Sequence, residues 1–154
     1  MIAIASTGNV AAQPDNGRSL GWAWVGLCAA LAVNVTDEAL TDFLSVYNPT
    51  VVALRQRLPW LPLPTFTFGV WLAVLIAAIV LLLLLSPFAF RGARWIALLS
   101  YPVGVLMLLN VLNHIAWSIY FGKWMPGVYS SPLLLIASAY LLLAAHRNRR
   151  HQSA

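Results

Sequence analysis

The sequence predicts an all-α, polytopic membrane protein: a four-transmembrane-helix bundle with both termini cytoplasmic. Three observations predict it. Hydrophobic residues make up 61 % of the chain and charged residues only 8 %, with a mean hydropathy of +0.81, whereas soluble domains carry about a quarter charged residues. The apolar residues fall in four stretches near the ~20 residues that a ~30 Å hydrocarbon core requires. The Lys and Arg residues collect between or beyond those stretches. At 154 residues the chain has room for one such domain.

Residues 1–18 are mostly polar or small and lack a basic region leading into an apolar core. They read as a disordered tail rather than a cleaved signal peptide. The membrane domain covers 19–146, and its first span covers about residues 20–45. Residues 20–35 hold no charge, Trp22 and Trp24 form an interfacial pair, and Leu40, Phe43 and Leu44 continue an apolar side. Asn48-Pro49 is the expected stop, because the residue before proline is biased away from helical geometry. Residues 50–58 then suit a short amphipathic helix carrying Arg55 and Arg57, broken by Pro59, Pro62 and Pro64. The second span, about 65–86, holds no charge, presents plain lipid-facing surface and closes at Ser86-Pro87. The third, about 94–121, contains Pro102 and Gly104, where a kink is expected. A turn-rich connector at 122–132 overlaps the start of the fourth span, about 128–145, and a basic tail occupies 147–154. Trp60, Trp71, Trp117, Trp124 and Tyr120 suit an interfacial aromatic belt.

Orientation follows from the basic residues. Termini inside places Arg18, Arg91, Arg94, Arg147, Arg149 and Arg150 on the cytoplasmic side and Arg55, Arg57 and Lys123 on the other. The formal net charge of +5 does not indicate nucleic acid, since no basic face is interleaved with aromatics. The expected partner is the lipid bilayer. Cys28 lies alone in an apolar run, which excludes an intramolecular disulfide and suits a small packing residue. The sequence sets no oligomeric state.

Two polar stripes mark the candidate site. Asn34, Asp37, Glu38, Thr41 and Ser45 share one face of the first helix, with Asp42 at its edge. Asn110, Asn113, His114 and Trp117 repeat the spacing on the third span, with Ser118 one turn on. At 1.5 Å per residue, Glu38 lies ~27 Å beyond Leu20 and His114 ~28 Å beyond Trp95. Both stripes therefore reach the outer end of the membrane together. Ionisable groups at membrane depth cost ~2.5–3.5 kcal/mol each to insert and usually serve a function. An acid–imidazole pair in a low-dielectric pocket can exchange a proton near neutral pH. Glu38 and His114 are the expected pair, with Asp37 beside them and Asn34, Asn110, Asn113 and Asp42 binding or orienting. Asp37, Glu38 and His114 also make a donor set for a divalent metal such as zinc, manganese or iron. Only one histidine is embedded, which favours acid–base work. The competing role for these side chains is to glue helices together.

Asn34-Val-Thr-Asp37-Glu38, followed by Asn110-x-x-Asn113-His114 and by Met125-Pro126-Gly127, resembles the HXXEE-motif integral membrane proteins, a bacterial family of unknown function. The resemblance covers roughly residues 25–145. It implies a multi-pass protein of the cell (inner) membrane and points toward a membrane enzyme with no assigned reaction. Two positions depart from the motif. Asn34 stands where the signature histidine belongs, and Asp37 where Glu is usual. Losing that histidine removes a titratable group and a metal ligand while keeping a hydrogen-bonding shape. Two functions are consistent with these residues: a membrane-embedded enzyme using an acid–His centre on a lipid-like substrate, or a non-catalytic protein that binds a lipid or partner. The segments 47–64 and 122–132 lie over the same end and suit a lid on a pocket open to an amphiphile.

Overall fold

The computed structural model describes residues 16–152, and the described residues are helical with no strand. The expected tail at residues 1–18 lies outside them up to residue 15. Six helices follow in order: α1 (Asn16–Leu40), α2 (Phe43–Arg57), α3 (Phe68–Leu84), α4 (Ser86–Phe90), α5 (Arg94–Phe121) and α6 (Ser131–Gln152). Among the described residues, three stretches are long and apolar enough to cross a membrane: Gly17–Leu40, Phe68–Phe90 and Arg94–Phe121. The middle one joins α3 to α4, and only 6 % of its most apolar window is buried within the protein. That is the surface expected of a helix whose solvent is lipid.

α6 packs against both α1 and α5, while α3 and α4 pack against α1. The order of contacts makes α1 and α5 run one way and α3 and α6 the other. At one end Glu38 of α1 meets His114 of α5, and Ser130, just before α6, bonds back to α1. At the opposite end Asn148 of α6 donates to the Gly92 carbonyl before α5. Small residues let the helices approach. A Cβ on Gly21 would stand 2.3 Å from the Phe90 ring, so only glycine admits α4 against α1. Ser100 and Ser138 are fully buried, and each returns its hydroxyl to the carbonyl four residues back. Such interfaces hold by close packing, because lipid offers helices no hydrophobic incentive to associate. Leu20, Leu27 and Cys28 of α1, Ile96 and Val111 of α5, and Leu134 and Leu141 of α6 form the core.

Several boundaries depart from the expected ones. The first helix does not run through Leu44. It stops at Leu40, and Asp42 adopts a left-handed backbone, φ 55° and ψ 51°. Aspartate tolerates that conformation through its short polar side chain. The Thr41 hydroxyl returns to the Asp37 carbonyl, and the Asp42 carbonyl accepts both the Ser45 N–H and its hydroxyl. Pro49 does not end a helix but sits inside α2. The Asn48 side chain donates to the Phe66 carbonyl at 2.9 Å and accepts the Phe66 N–H at 3.0 Å. This two-bond bracket ties α2 to the extended connector and offsets the bias that Pro49 imposes. Asn48→Ala leaves both Phe66 groups without that partner. It is expected to cost ~1–3 kcal/mol, measured by equilibrium unfolding in mixed detergent micelles. The expected amphipathic helix with Arg55 and Arg57 is the second half of α2. Ser86-Pro87 opens α4 rather than ending the apolar segment, with proline in the first turn where its missing N–H costs nothing. α6 begins at Ser131 and carries residues 147–152 of the basic tail as helix.

Two tryptophans assigned to the interface are interior. Trp24 is buried, and its Nε1 donates to the Leu82 carbonyl at 2.7 Å, joining α1 to α3. Trp71 is buried and stacks on Phe43. Trp22, Trp60 and Trp124 are exposed, as a belt requires.

Candidate functional site

The helical stripe on α1 turns Asn34 and Glu38 into the protein at 1 % and 5 % exposure. Asp37, one position before Glu38, is half-buried and turned toward the segment that precedes α6. On α5 the matching stripe buries His114 to 3 % exposure. The two stripes meet: His114 Nε2 lies 2.8 Å from Glu38 Oε1. The carboxylate oxygen stands off the line of the ring N–H, so this buried nitrogen makes a close acid–imidazole contact without an aligned hydrogen bond.

Asn34 connects this pair to a second group. Its Nδ2 donates to Glu38 Oε1 at 2.8 Å. Asn34 Oδ1 then faces Ser130 Oγ at 3.1 Å. The Ser130 hydroxyl also reaches Asp37 Oδ2 at 2.9 Å and the Gly127 carbonyl at 3.1 Å, while its backbone N–H donates to Asp37 Oδ2 at 3.0 Å. One hydroxyl proton thus faces three acceptors. Ser131 Oγ adds a 2.8 Å bond to the same Gly127 carbonyl. The Asn34 side chain is therefore a two-sided amide, with the acid–His pair on one side and the α6 entrance on the other.

Gly127 closes the site from above. Its φ is +82°, and a Cβ there would lie 2.4 Å from His114 Cε1 and 2.7 Å from Nε2. Ser118 positions this turn, since its hydroxyl donates to the His114 carbonyl at 2.8 Å and accepts the Met125 N–H at 3.1 Å. The Phe43 ring stands edge-on to the imidazole at 6.1 Å between centroids.

The remaining residues expected in the site divide. Asn113 is exposed, accepts from Trp117 Nε1 at 2.8 Å, and borders the same cavity as His114. Asn110 is half-buried and takes no part in the cluster's hydrogen bonds. Asp42 is exposed at the α1–α2 turn, away from the pair. Among the described residues no three His, Cys, Asp or Glu side chains converge well enough to hold a metal ion. Asp37 is spent on Ser130 instead.

His114 forms part of the wall of a cavity of about 220 Å³. Phe43, Val51, Leu54 and Leu63 enclose it from α2 and the connector, and Met125 and Pro126 from the turn after α5. Sequence reasoning missed Ser130 and the steric part of Gly127. Ser130 lies in a turn without periodicity, and its one signal was its position beside the Pro126-Gly127 pair. No protein-family model, curated protein or solved structure matches the chain, so the likeness to the HXXEE-motif proteins rests on the quoted residues.

Proposed function

We propose that this chain is a four-span protein of the cell (inner) membrane with cytoplasmic termini, and that Glu38 and His114 act as an acid–base centre on a lipid-like substrate near the outer face. The observation that carries this reading is that His114 is buried yet borders an apolar cavity, with Glu38 against its Nε2. His114 takes a proton from the substrate and returns it, while Glu38 stabilises the imidazolium that forms between. The apolar walls strengthen that stabilisation by keeping the local dielectric low. Asn34 fixes the Glu38 carboxylate, and Asp37 positions Asn34 through Ser130. Membrane placement is supported by the three long apolar stretches. We read the apolar part of α6, residues 131–145, as the core of the fourth span: α6 packs along α1 and α5, that part extends ~22 Å at 1.5 Å per residue, and the basic residues of the tail lie beyond it. The basic residues counted for orientation also sort by end, with Arg91, Arg94 and Arg147 near the Gly92–Asn148 contact and Arg55 and Arg57 at the end of α2 and Lys123 just after α5 at the other.

A packing role is favoured for part of the cluster by the Asp37–Ser130–Asn34 bonds, which join α1 to the start of α6. The test separates the two roles. Purified protein is incubated with a total bacterial lipid extract, and species gained and lost are followed by mass spectrometry. Wild type is expected to convert a lipid-like species, and Glu38→Gln and His114→Gln to lose at least ~100-fold of that rate while staying folded. Equal turnover by wild type and both variants, or none by wild type, removes the acid–base assignment.

A further inference from the structure

The chamber beside His114 abuts a second compartment. It shares Thr50, Leu54 and Trp117 with a wider groove of about 610 Å³ between α2 and the last turns of α5. Tyr120 and Phe121 complete the apolar side of that groove, and Arg57 also lines it. Among the described residues, Arg57 is the only ionisable side chain apposed to either compartment apart from His114 and the phenols of Tyr47 and Tyr120. Arg55 is committed elsewhere, donating to the Leu63 carbonyl and so holding the connector. Arg57 makes no such bond among the described residues.

We propose that the two compartments bind a single-chain anionic amphiphile, with its headgroup on Arg57 and its hydrocarbon chain passing Trp117 into the chamber beside His114. The assignment deepens the acid–base reading and rests on it for what happens at His114. Three features specify the ligand. The chamber at His114 holds about 220 Å³ against about 610 Å³ for the groove, which leaves room there for part of one chain rather than for the two of a diacyl lipid. Its walls are apolar along Leu54, Val51 and Leu63, with a single cation at the open end, the arrangement that seats an apolar body and fixes one charged group. At the inner end the His114 imidazole forms part of the chamber wall, so a polar group on the bound chain comes to lie beside it. Thr50 to Arg57 is seven residues, ~10 Å along a helix. A headgroup on Arg57 thus places chain atoms beside His114, and the group processed there belongs to the chain.

Photolabelling tests this without requiring turnover. Full-length protein in a non-ionic detergent is irradiated with dodecanoate carrying a terminal diazirine, and the adducts are mapped by peptide mass spectrometry. Adducts are expected on Val51, Leu54 or Met125. Unlabelled dodecanoate or dodecyl phosphate should compete with them, and dodecyltrimethylammonium should not. Arg57→Gln is expected to weaken chamber labelling about tenfold, the loss of one charge-assisted contact, with melting temperature unchanged, and Lys123→Gln to leave labelling as in wild type. Labelling confined to the outward face of α3, equal competition by the cation, or no effect of Arg57→Gln overturns the proposal. Chamber labelling in a protein that turns over no lipid upholds the ligand assignment while the acid–base reading falls. Turnover with an unlabelled chamber does the reverse.

Discussion

Gly127→Ala is expected to destabilise the protein by ~2–5 kcal/mol, through two additive mechanisms. The backbone at Gly127 has φ +82°, a region that costs an L-residue ~1–2 kcal/mol. The added methyl would also stand 2.4 Å from His114 Cε1, far inside the ~3.5–4.0 Å of ordinary carbon contact. Overpacking of this kind costs ~1–3 kcal/mol where neighbours cannot yield. The imidazole has little room to yield, since Glu38 and Phe43 stand against it and it is almost fully buried. The steric part is testable by suppression. In a His114→Ala background the same substitution meets a vacated space and retains only its backbone cost of ~1–2 kcal/mol. Equilibrium unfolding of the four proteins in mixed micelles gives both numbers. An identical cost in both backgrounds would show that Gly127 does not pack on the imidazole.

The placement of the pair was legible because a helix converts spacing into direction and depth. Asn34, Asp37 and Glu38 recur at helical intervals, as do Asn110, Asn113, His114 and Trp117, and equal rise along parallel segments brings the two sets to one level. Glu38 and His114 do meet there. The finer division of labour was not legible. Asp37 and Glu38 are chemically similar neighbours, but consecutive helical positions point ~100° apart. One therefore meets Ser130 and the other His114, and only the path of the turn before α6 decides which. That turn has no periodicity to read. The break at Thr41–Asp42 was hidden for a related reason, because an aspartate in left-handed geometry leaves no glycine or proline in the sequence. Pro49 misled in the opposite sense, since the bracket between Asn48 and Phe66 depends on a partner eighteen residues away. The buried tryptophans show the same limit. An indole at a span's end suits an interface, but Trp24 instead finds a carbonyl at the end of α3. The lid segments were placed at the correct end, because α2 and the turn after α5 do enclose the cavity beside His114.

A double-substitution cycle on Glu38 and His114 is expected to show coupling well above that of ordinary interhelical hydrogen bonds. Such bonds average ~0.6 kcal/mol inside a bilayer protein, with a maximum near 1.7. Glu38→Ala strips the imidazole of its carboxylate and leaves the Asn34 amide donor facing a void. Removing one partner of a buried pair in this way costs ~3–5 kcal/mol. His114→Ala in that background should then add little beyond its lost packing, because the contact has already gone. The isosteric pair Glu38→Gln and His114→Gln separates charge from shape. The glutamine at position 38 can still offer its oxygen to Asn34 Nδ2, so a structural pair survives the exchange with a loss of ~1 kcal/mol. An acid–base pair keeps its fold under the same exchange and loses turnover. Coupling of ~2 kcal/mol or more in the alanine cycle, together with folded but inactive glutamine variants, establishes Glu38 and His114 as one reactive unit held in place by Asn34. Additive alanine effects would instead mean that the 2.8 Å approach carries no energy. The two stripes would then be serving separate helix contacts, with Ser130 and Asp37 supplying the one that binds α1 to α6.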